Sequence, residues 1–109
     1  MAKDSSPLTR DFQESTLQHF SLSQNYPNPF NPQTSIRYAL PQDAQVRLII
    51  YNILGKKVKT LVDELQSAGY KTAWWDGKDE KGDLVASGVY LYRLEADKFS
   101  EVKKMLLVK

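Results

Sequence analysis

Cysteine is absent from this 109-residue chain. That excludes a disulfide framework, a cysteine nucleophile, a thiolate metal site and an iron–sulfur cluster, so any core must hold by packing alone. Histidine occurs once, at His19, with no second histidine to complete a metal site. An excess of charge of one sign is also missing: 15 basic and 13 acidic side chains leave a net charge of +2. Nucleic-acid and anionic-membrane partners usually announce themselves by clustered charge, and none are expected here. Long apolar runs are missing too. The longest, Leu48-Ile49-Ile50-Tyr51, is strand-sized, whereas a membrane helix takes roughly 18 apolar residues, so no membrane insertion is expected. The first residues, Met1 to Pro7, contain no apolar stretch following a basic one, so these residues are not expected to act as an export signal. No ten-residue segment makes a case for helix.

What is present falls into two parts. Residues 1–21 are mostly Ser, Thr, Gln and charged side chains, and read as a linker or disordered tail. Residues 12–20 are the one place where a short helix fits, capped by Thr9, although a segment of that length is marginal in water. Then Tyr26-Pro27-Asn28-Pro29-Phe30-Asn31-Pro32 puts three prolines into six residues. Proline fixes φ, lacks an N–H and drives its predecessor out of the helical region, so this segment is a stiff extended or turned strap, with Tyr26 and Phe30 as its apolar anchors.

From Thr34 the hydrophobic pattern has period two. Ile36, Tyr38 and Leu40 alternate with smaller or polar residues before a break at Pro41-Gln42-Asp43. Val46 to Ile53 follows, apolar on both faces, as a central strand requires. Asn52 to Lys57 is a turn with Gly55 able to take positive φ, and Lys57 to Val62 is a short strand. Asp63 to Ser67 reads as a polar connection, Ala68 to Trp75 as a strand, and Asp76 to Asp83 as a solvated loop. Leu84 to Gly88 leads into Val89 to Ala96, Asp97-Lys98 turns the chain, and Phe99 to Lys109 closes it. Six to seven short strands with Gly, Pro and Asp turns predict an all-β fold over residues 22–109, a small antiparallel immunoglobulin-like β-sandwich. Its expected core is Ile36, Tyr38, Leu40, Val46, Leu48, Ile50, Val58, Leu61, Trp75, Tyr90, Tyr92 and Leu94.

These residues also carry a family resemblance. The blocks are Tyr26-Pro27-Asn28-Pro29-Phe30-Asn31-Pro32-x-Thr34-x-Ile36, Leu40-Pro41, Ile50-Tyr51-Asn52-x-Leu54-Gly55, Ala68-Gly69, Trp75-Asp76-Gly77-x-Asp79-x-x-Gly82 and Ala86-Ser87-Gly88-Val89-Tyr90-x-Tyr92-Arg93-Leu94. In order and spacing they resemble the type A C-terminal sorting domain of proteins exported by the type IX secretion system, a family related to the immunoglobulin-like module of the flagellar hook-capping protein. The resemblance implies a non-catalytic address: a domain of a larger exported protein that reaches the periplasm and is then recognised for outer-membrane translocation and cell-surface attachment. The implied partners are the outer-membrane type IX machinery, its surface-attachment component, and an N-terminal passenger domain. The implied location is secreted or at the cell surface, without a cofactor. The implied recognition residues are Lys103, Lys104, Met105, Leu106, Leu107, Val108 and Lys109, a basic and apolar terminal strand that could also pair with a partner at a sheet edge. Such proteins carry a signal peptide and a large functional domain, so the expectation is that these residues are the excised end of a longer chain.

Other chemistry reads weakly. The acidic neighbours Asp63-Glu64 and Asp79-Glu80 point apart and lie in turn-like sequence rather than beside an apolar pocket that would split their pKa values. Asp76, Asp79 and Asp83 do not follow calcium-loop spacing, and Lys78 and Lys81 sit among them. No nucleophile–base pair or phosphate loop assembles, and the expectation is a protein that is not an enzyme. The aromatic residues supply the alternative reading, an accessory module that binds carbohydrate or packs on a neighbouring domain. Strand parity puts Tyr70, Thr72 and Trp74 on one face and Lys71, Ala73 and Trp75 on the other; the resemblance, in which the tryptophan before Asp-Gly is the usual one, implies that Trp75 faces the core, which leaves Tyr70 and Trp74 outside, about 13 Å apart. That pair makes a sugar platform, unless Trp74 instead covers the strap or tail against Phe30 or Phe12.

Overall fold

The computed structural model describes residues 17–109. Seven strands form in the order β1 (Ser21–Leu22), β2 (Thr34–Leu40), β3 (Ala44–Asn52), β4 (Lys57–Gln66), β5 (Gly69–Trp75), β6 (Gly88–Ala96) and β7 (Phe99–Leu107). All pairings are antiparallel, in a three-stranded sheet β1-β2-β5 and a four-stranded sheet β4-β3-β6-β7. This is the expected all-β immunoglobulin-like sandwich. The part of the tentative helix at residues 12–16 lies outside the described residues, as do Leu8, Thr9 and Phe12, and Leu17 to Phe20 are not helical. Ordered packing starts before residue 22: Phe20 stacks on Phe99 with ring centroids 5.5 Å apart, and Ser21 already pairs with Ala39.

Alternation along each strand builds the core from the two inner faces. Ile36, Tyr38 and Leu40 of β2 and Ala73 and Trp75 of β5 face Val46, Leu48 and Ile50 of β3, Tyr90, Tyr92 and Leu94 of β6, and Met105 and Leu107 of β7. Every one of them is buried. β3 runs between β4 and β6, and only part of the outward side of this central strand is apolar: Ile49 is buried there between its register partners Thr60 and Arg93, while Gln45 and Arg47 are exposed.

Three local expectations are corrected. Asp63 to Gln66 are not a connection: β4 continues through them, with Glu64 opposite Val46 and Gln66 opposite Ala44, because pairing to β3 satisfies their backbone while Asp63, Glu64 and Leu65 stay exposed and Gln66 Oε1 accepts the Tyr38 hydroxyl at 2.6 Å. Val58 and Leu61 are only partly buried. β4 is an edge strand whose register against β3 shifts twice, between Leu48 and Ile49 and between Ile50 and Tyr51, and such irregularities turn side chains away from the regular inward row. Tyr26 is not an anchor: it is 78% exposed, whereas Phe30, at 2%, is the strap's buried aromatic ring.

Gly77 shows why the loop after β5 needs glycine. Its φ is +78°, and a Cβ there would stand 3.2 Å from the carbonyl oxygen of Pro32 in the strap. At the far end of the core Leu48 is fully buried in the central strand. Leu48→Ala is expected to lower unfolding free energy by about 2–5 kcal/mol, read by urea or thermal melts. A melt indistinguishable from the parent would refute the placement of Leu48 in the core.

Candidate functional site

The seven terminal residues singled out in the sequence do not act as one surface, because the pleat divides them. Met105 and Leu107 point inward and are 2% and 1% exposed, while Lys104, Leu106, Val108 and Lys109 are exposed. Lys103 is half-buried and forms an ion pair with Glu101, Nζ to Oε2, at 3.3 Å. Regular strand ends at Leu107, after which the Lys109 N–H donates to Ser87 Oγ at 3.1 Å.

β7 is the edge of the four-stranded sheet, yet the C-terminal half of that edge is occupied by the strap. The Phe30 N–H donates to the Leu106 carbonyl and the Val108 N–H donates to the Phe30 carbonyl, both at 2.9 Å. The Leu106 N–H donates to Asn28 Oδ1 at 3.0 Å, and Gln24 Nε2 donates to the Lys104 carbonyl at 2.6 Å. In an antiparallel strand alternate residues direct their backbone groups to the same side, so Ser100 and Val102 present theirs along the same edge. Among the described residues neither has a strap partner. The edge thus has a covered half at residues 104–108 and an uncovered stretch before it.

The strap is fixed in two ways. Phe30 inserts its ring beside Trp75, centroids 5.7 Å apart, and Trp75 meets Tyr90 edge-on at 5.4 Å. A buried polar cluster holds the rest. Tyr92 Oη accepts the Asn25 N–H and donates to the Ser23 carbonyl, both at 2.8 Å. Asn25 Nδ2 donates to Thr34 Oγ1 at 3.0 Å and to the Pro27 carbonyl at 3.1 Å, and Thr34 Oγ1 donates to that same carbonyl at 2.8 Å. Pairing these groups offsets the cost of burying them. Sequence reasoning missed Gln24, Asn25, Asn28 and Thr34. The available signal was Asn and Thr bracketing a proline-rich segment, since short polar side chains satisfy backbone groups where proline prevents a regular ladder.

On the opposite sheet Trp75 is 1% exposed, while Trp74 and Tyr70 are 60% and 71% exposed. Phe30 packs on Trp75 and not on the outward Trp74, so the strap anchor does not cover the outward pair; Phe12 lies outside the described residues. His19 is exposed. Asp79 Oδ1 accepts the backbone N–H groups of Lys81 and Asp83, and these bonds, chiefly that from Asp83, hold its carboxyl below the usual value. Glu80 Oε2 accepts the Thr60 N–H at 2.8 Å, the main reason its carboxyl also sits low. Both acids lock the loop between β5 and β6, and Glu80 ties it to β4.

Residues 30–99 match the sequence pattern of the FlgD Ig-like domain. The chain belongs to that family. The match runs from Phe30 of the strap to the first residue of β7, so the sandwich of this FlgD Ig-like domain and the family region coincide over most of their length. No curated protein matches the sequence significantly. Among solved structures, dimeric latent PorU from Porphyromonas gingivalis superposes with a TM-score of 0.65 at 21% identity, over 85% of this chain and 10% of PorU. PorZ from the same organism, described as an essential surface component of the type IX secretion system, gives a TM-score of 0.56 at 20% identity, over 83% of this chain and 11% of PorZ. FlgD from Xanthomonas campestris gives 0.57 at 24% identity, over 81% of this chain and 66% of FlgD. This FlgD Ig-like domain therefore spans about a tenth of the length of the two Porphyromonas proteins, and at these identities the likeness is one of fold.

Burial pushes the Tyr92 hydroxyl up from 10.0 to about 12, against the opposing pull of its bond from Asn25. The unfolded chain would lose that proton near 10 while the folded domain keeps it to about 12. The contribution is therefore complete below pH 10 and disappears as pH rises towards 12. Tyr92→Phe leaves the Asn25 N–H and Ser23 carbonyl without this partner and is expected to cost about 1–3 kcal/mol at neutral pH. Urea melts at successive pH values should show a smaller alkaline loss in the variant than in the parent. An equal loss would mean that Tyr92 does not keep its proton in this way.

Proposed function

We propose that this FlgD Ig-like domain is a non-catalytic type A sorting domain of the type IX secretion system, part of a larger exported protein that it directs across the outer membrane to the cell surface. The observation that carries the reading is the construction of β7: an edge strand with its apolar odd positions sunk in the core and Lys104, Leu106, Val108 and Lys109 left facing outward. A rigid scaffold bearing a basic and apolar strip suits recognition by a protein partner, because the core fixes the strand and the exposed parity supplies specificity. The blocks that resemble the sorting family, from the strap through the Trp75-Asp76-Gly77 turn to Tyr92, are the parts that hold β7 in place. The fold shared with PorU and with PorZ, a component of that system, supports the same reading. The partners on this reading are the outer-membrane translocation machinery, its surface-attachment component and an N-terminal passenger.

The test is export of a reporter joined to the full chain in a type IX-competent host. Deleting residues 103–109 removes Met105 and Leu107 from the core, so loss of export there would confound folding with recognition. The double substitution Lys104→Glu and Lys109→Glu changes exposed side chains and leaves the core untouched. It is expected to preserve the thermal melt, to lower surface display at least tenfold, and to retain the reporter in the periplasm. Undiminished display of this folded variant would sink the proposal.

A further inference from the structure

Three rungs cross the outer face of the three-stranded sheet. In the first, Ser35 pairs with Trp74 on one side and with Tyr26 on the other, through Tyr26 N–H to Ser35 carbonyl and Ser35 N–H to Tyr26 carbonyl bonds of 2.9 and 2.8 Å. In the second, Arg37 pairs with Thr72 and accepts the Ser23 N–H at 2.9 Å. In the third, Ala39 lies between Tyr70 and Ser21. Side chains in register on paired strands project to the same face, so these nine residues form one surface. Trp74, Tyr70 and Tyr26 stand on it at 60%, 71% and 78% exposure. Trp74 and Tyr70 are about 13 Å apart along β5, and Trp74 and Tyr26 are about 10 Å apart across two strand spacings.

The surface is hollowed between Tyr70 and Tyr26, on either side of Arg37, and Trp74 stands outside both hollows. One depression, of about 330 Å³, lies between Tyr70 and Arg37 over buried Ala39, and a second, of about 340 Å³, lies between Arg37 and Tyr26 over Ser35. They share Ser23 and Arg37, so Arg37 borders both. Around the three rings stand the hydroxyls of Ser21, Ser23, Ser35 and Thr72. None of the nine residues is acidic, and Arg37 is the single charge among them; Lys71, whose ammonium donates to Ser67 Oγ at 3.1 Å, also borders the first depression. Among the described residues no ion pair engages Arg37.

Tyr, Trp and Arg are also enriched in protein interfaces, but those have an apolar, close-packed centre, whereas here the large rings are separated by small hydroxylated residues. Separate rings suit separate pyranose faces, and the hydroxyls between them suit sugar hydroxyls. The lone guanidinium, a planar fork that matches a carboxylate, supplies charge complementarity for an acidic unit. We propose that the outer face of the three-stranded sheet binds an acidic oligosaccharide, with Trp74, Tyr70 and Tyr26 stacking on sugar rings and Arg37 pairing with a uronate carboxylate. The site lies on the sheet opposite β7 and does not depend on the sorting role.

Trp75 is buried, so a tryptophan fluorescence change on titration reports Trp74 against a constant background. The full chain is titrated with hexagalacturonate and hexamannuronate, with cellohexaose as the neutral control and polyglutamate as an acidic peptide control. At least one uronate is expected to shift the emission saturably and to bind about tenfold or more tightly than cellohexaose. Arg37→Gln is expected to remove that preference, and Trp74→Ala to remove the signal and, by calorimetry, to weaken binding at least tenfold, both with unchanged thermal melts. Failure of both uronates to bind at millimolar concentration overturns the proposal. So does uronate binding that survives Trp74→Ala and Tyr70→Ala in calorimetry, or binding of polyglutamate in preference to either sugar.

Discussion

Phe30 enters the sandwich beside Trp75, and its own N–H and carbonyl close on Leu106 and Val108 at the edge of β7. One residue thereby joins the beginning of the domain to its end. Burying the ring draws a proline-rich strap against the sheet, and a strap with few N–H groups cannot make a regular ladder. Its remaining polar groups must find other partners, which is why Asn25, Thr34 and Tyr92 form a closed buried cluster beneath it. The glycine at position 77 belongs to the same arrangement, since the Pro32 carbonyl approaches too closely for a side chain.

This closure gives the molecule two unlike surfaces. On the four-stranded sheet the strap protects the C-terminal half of an edge strand that would otherwise offer its backbone to any extended chain, while leaving the exposed parity of side chains accessible. A partner recognising Lys104 and Leu106 meets side chains on a strand already paired on both sides there, and a partner adding a strand at that point would have to displace Phe30 and Asn28. On the three-stranded sheet the strap instead extends the face, because Tyr26 pairs with Ser35 and supplies an exposed ring. The same proline-rich segment thus closes one sheet and widens the other.

Much of this was legible in the chain. Period-two alternation located β2, β3, β5 and β6 and put Trp74 and Trp75 on opposite faces, and the family resemblance named Trp75 as the inward one, after which parity fixes the rest of the strand. The strap was recognisable from proline geometry alone. The misread positions have a common cause. Tyr26 and Phe30 are both aromatic and four residues apart in the strap, yet one is 78% and the other 2% exposed. Local sequence does not say which ring points at Trp75. Likewise Asp63 and Glu64 are polar enough for a loop, and only pairing with Arg47 and Val46 makes them strand.

The sequence by itself determined the fold class, the absence of thiol chemistry, the alternation that builds a two-faced sandwich, and the blocks that resemble a sorting family. Those are properties of residue type and spacing, which act over a few positions. The tertiary structure decided which edge of which sheet is covered, that Met105 and Leu107 belong to the core while Lys104 and Leu106 do not, and that Tyr26 and Arg37 join Tyr70 and Trp74 on one face. Each depends on contacts between segments far apart in the chain, such as Asn28 with Leu106 or Ser23 with Tyr92. Burial and hydrogen bonding select such pairings only when both sheets close together, and no local pattern records them.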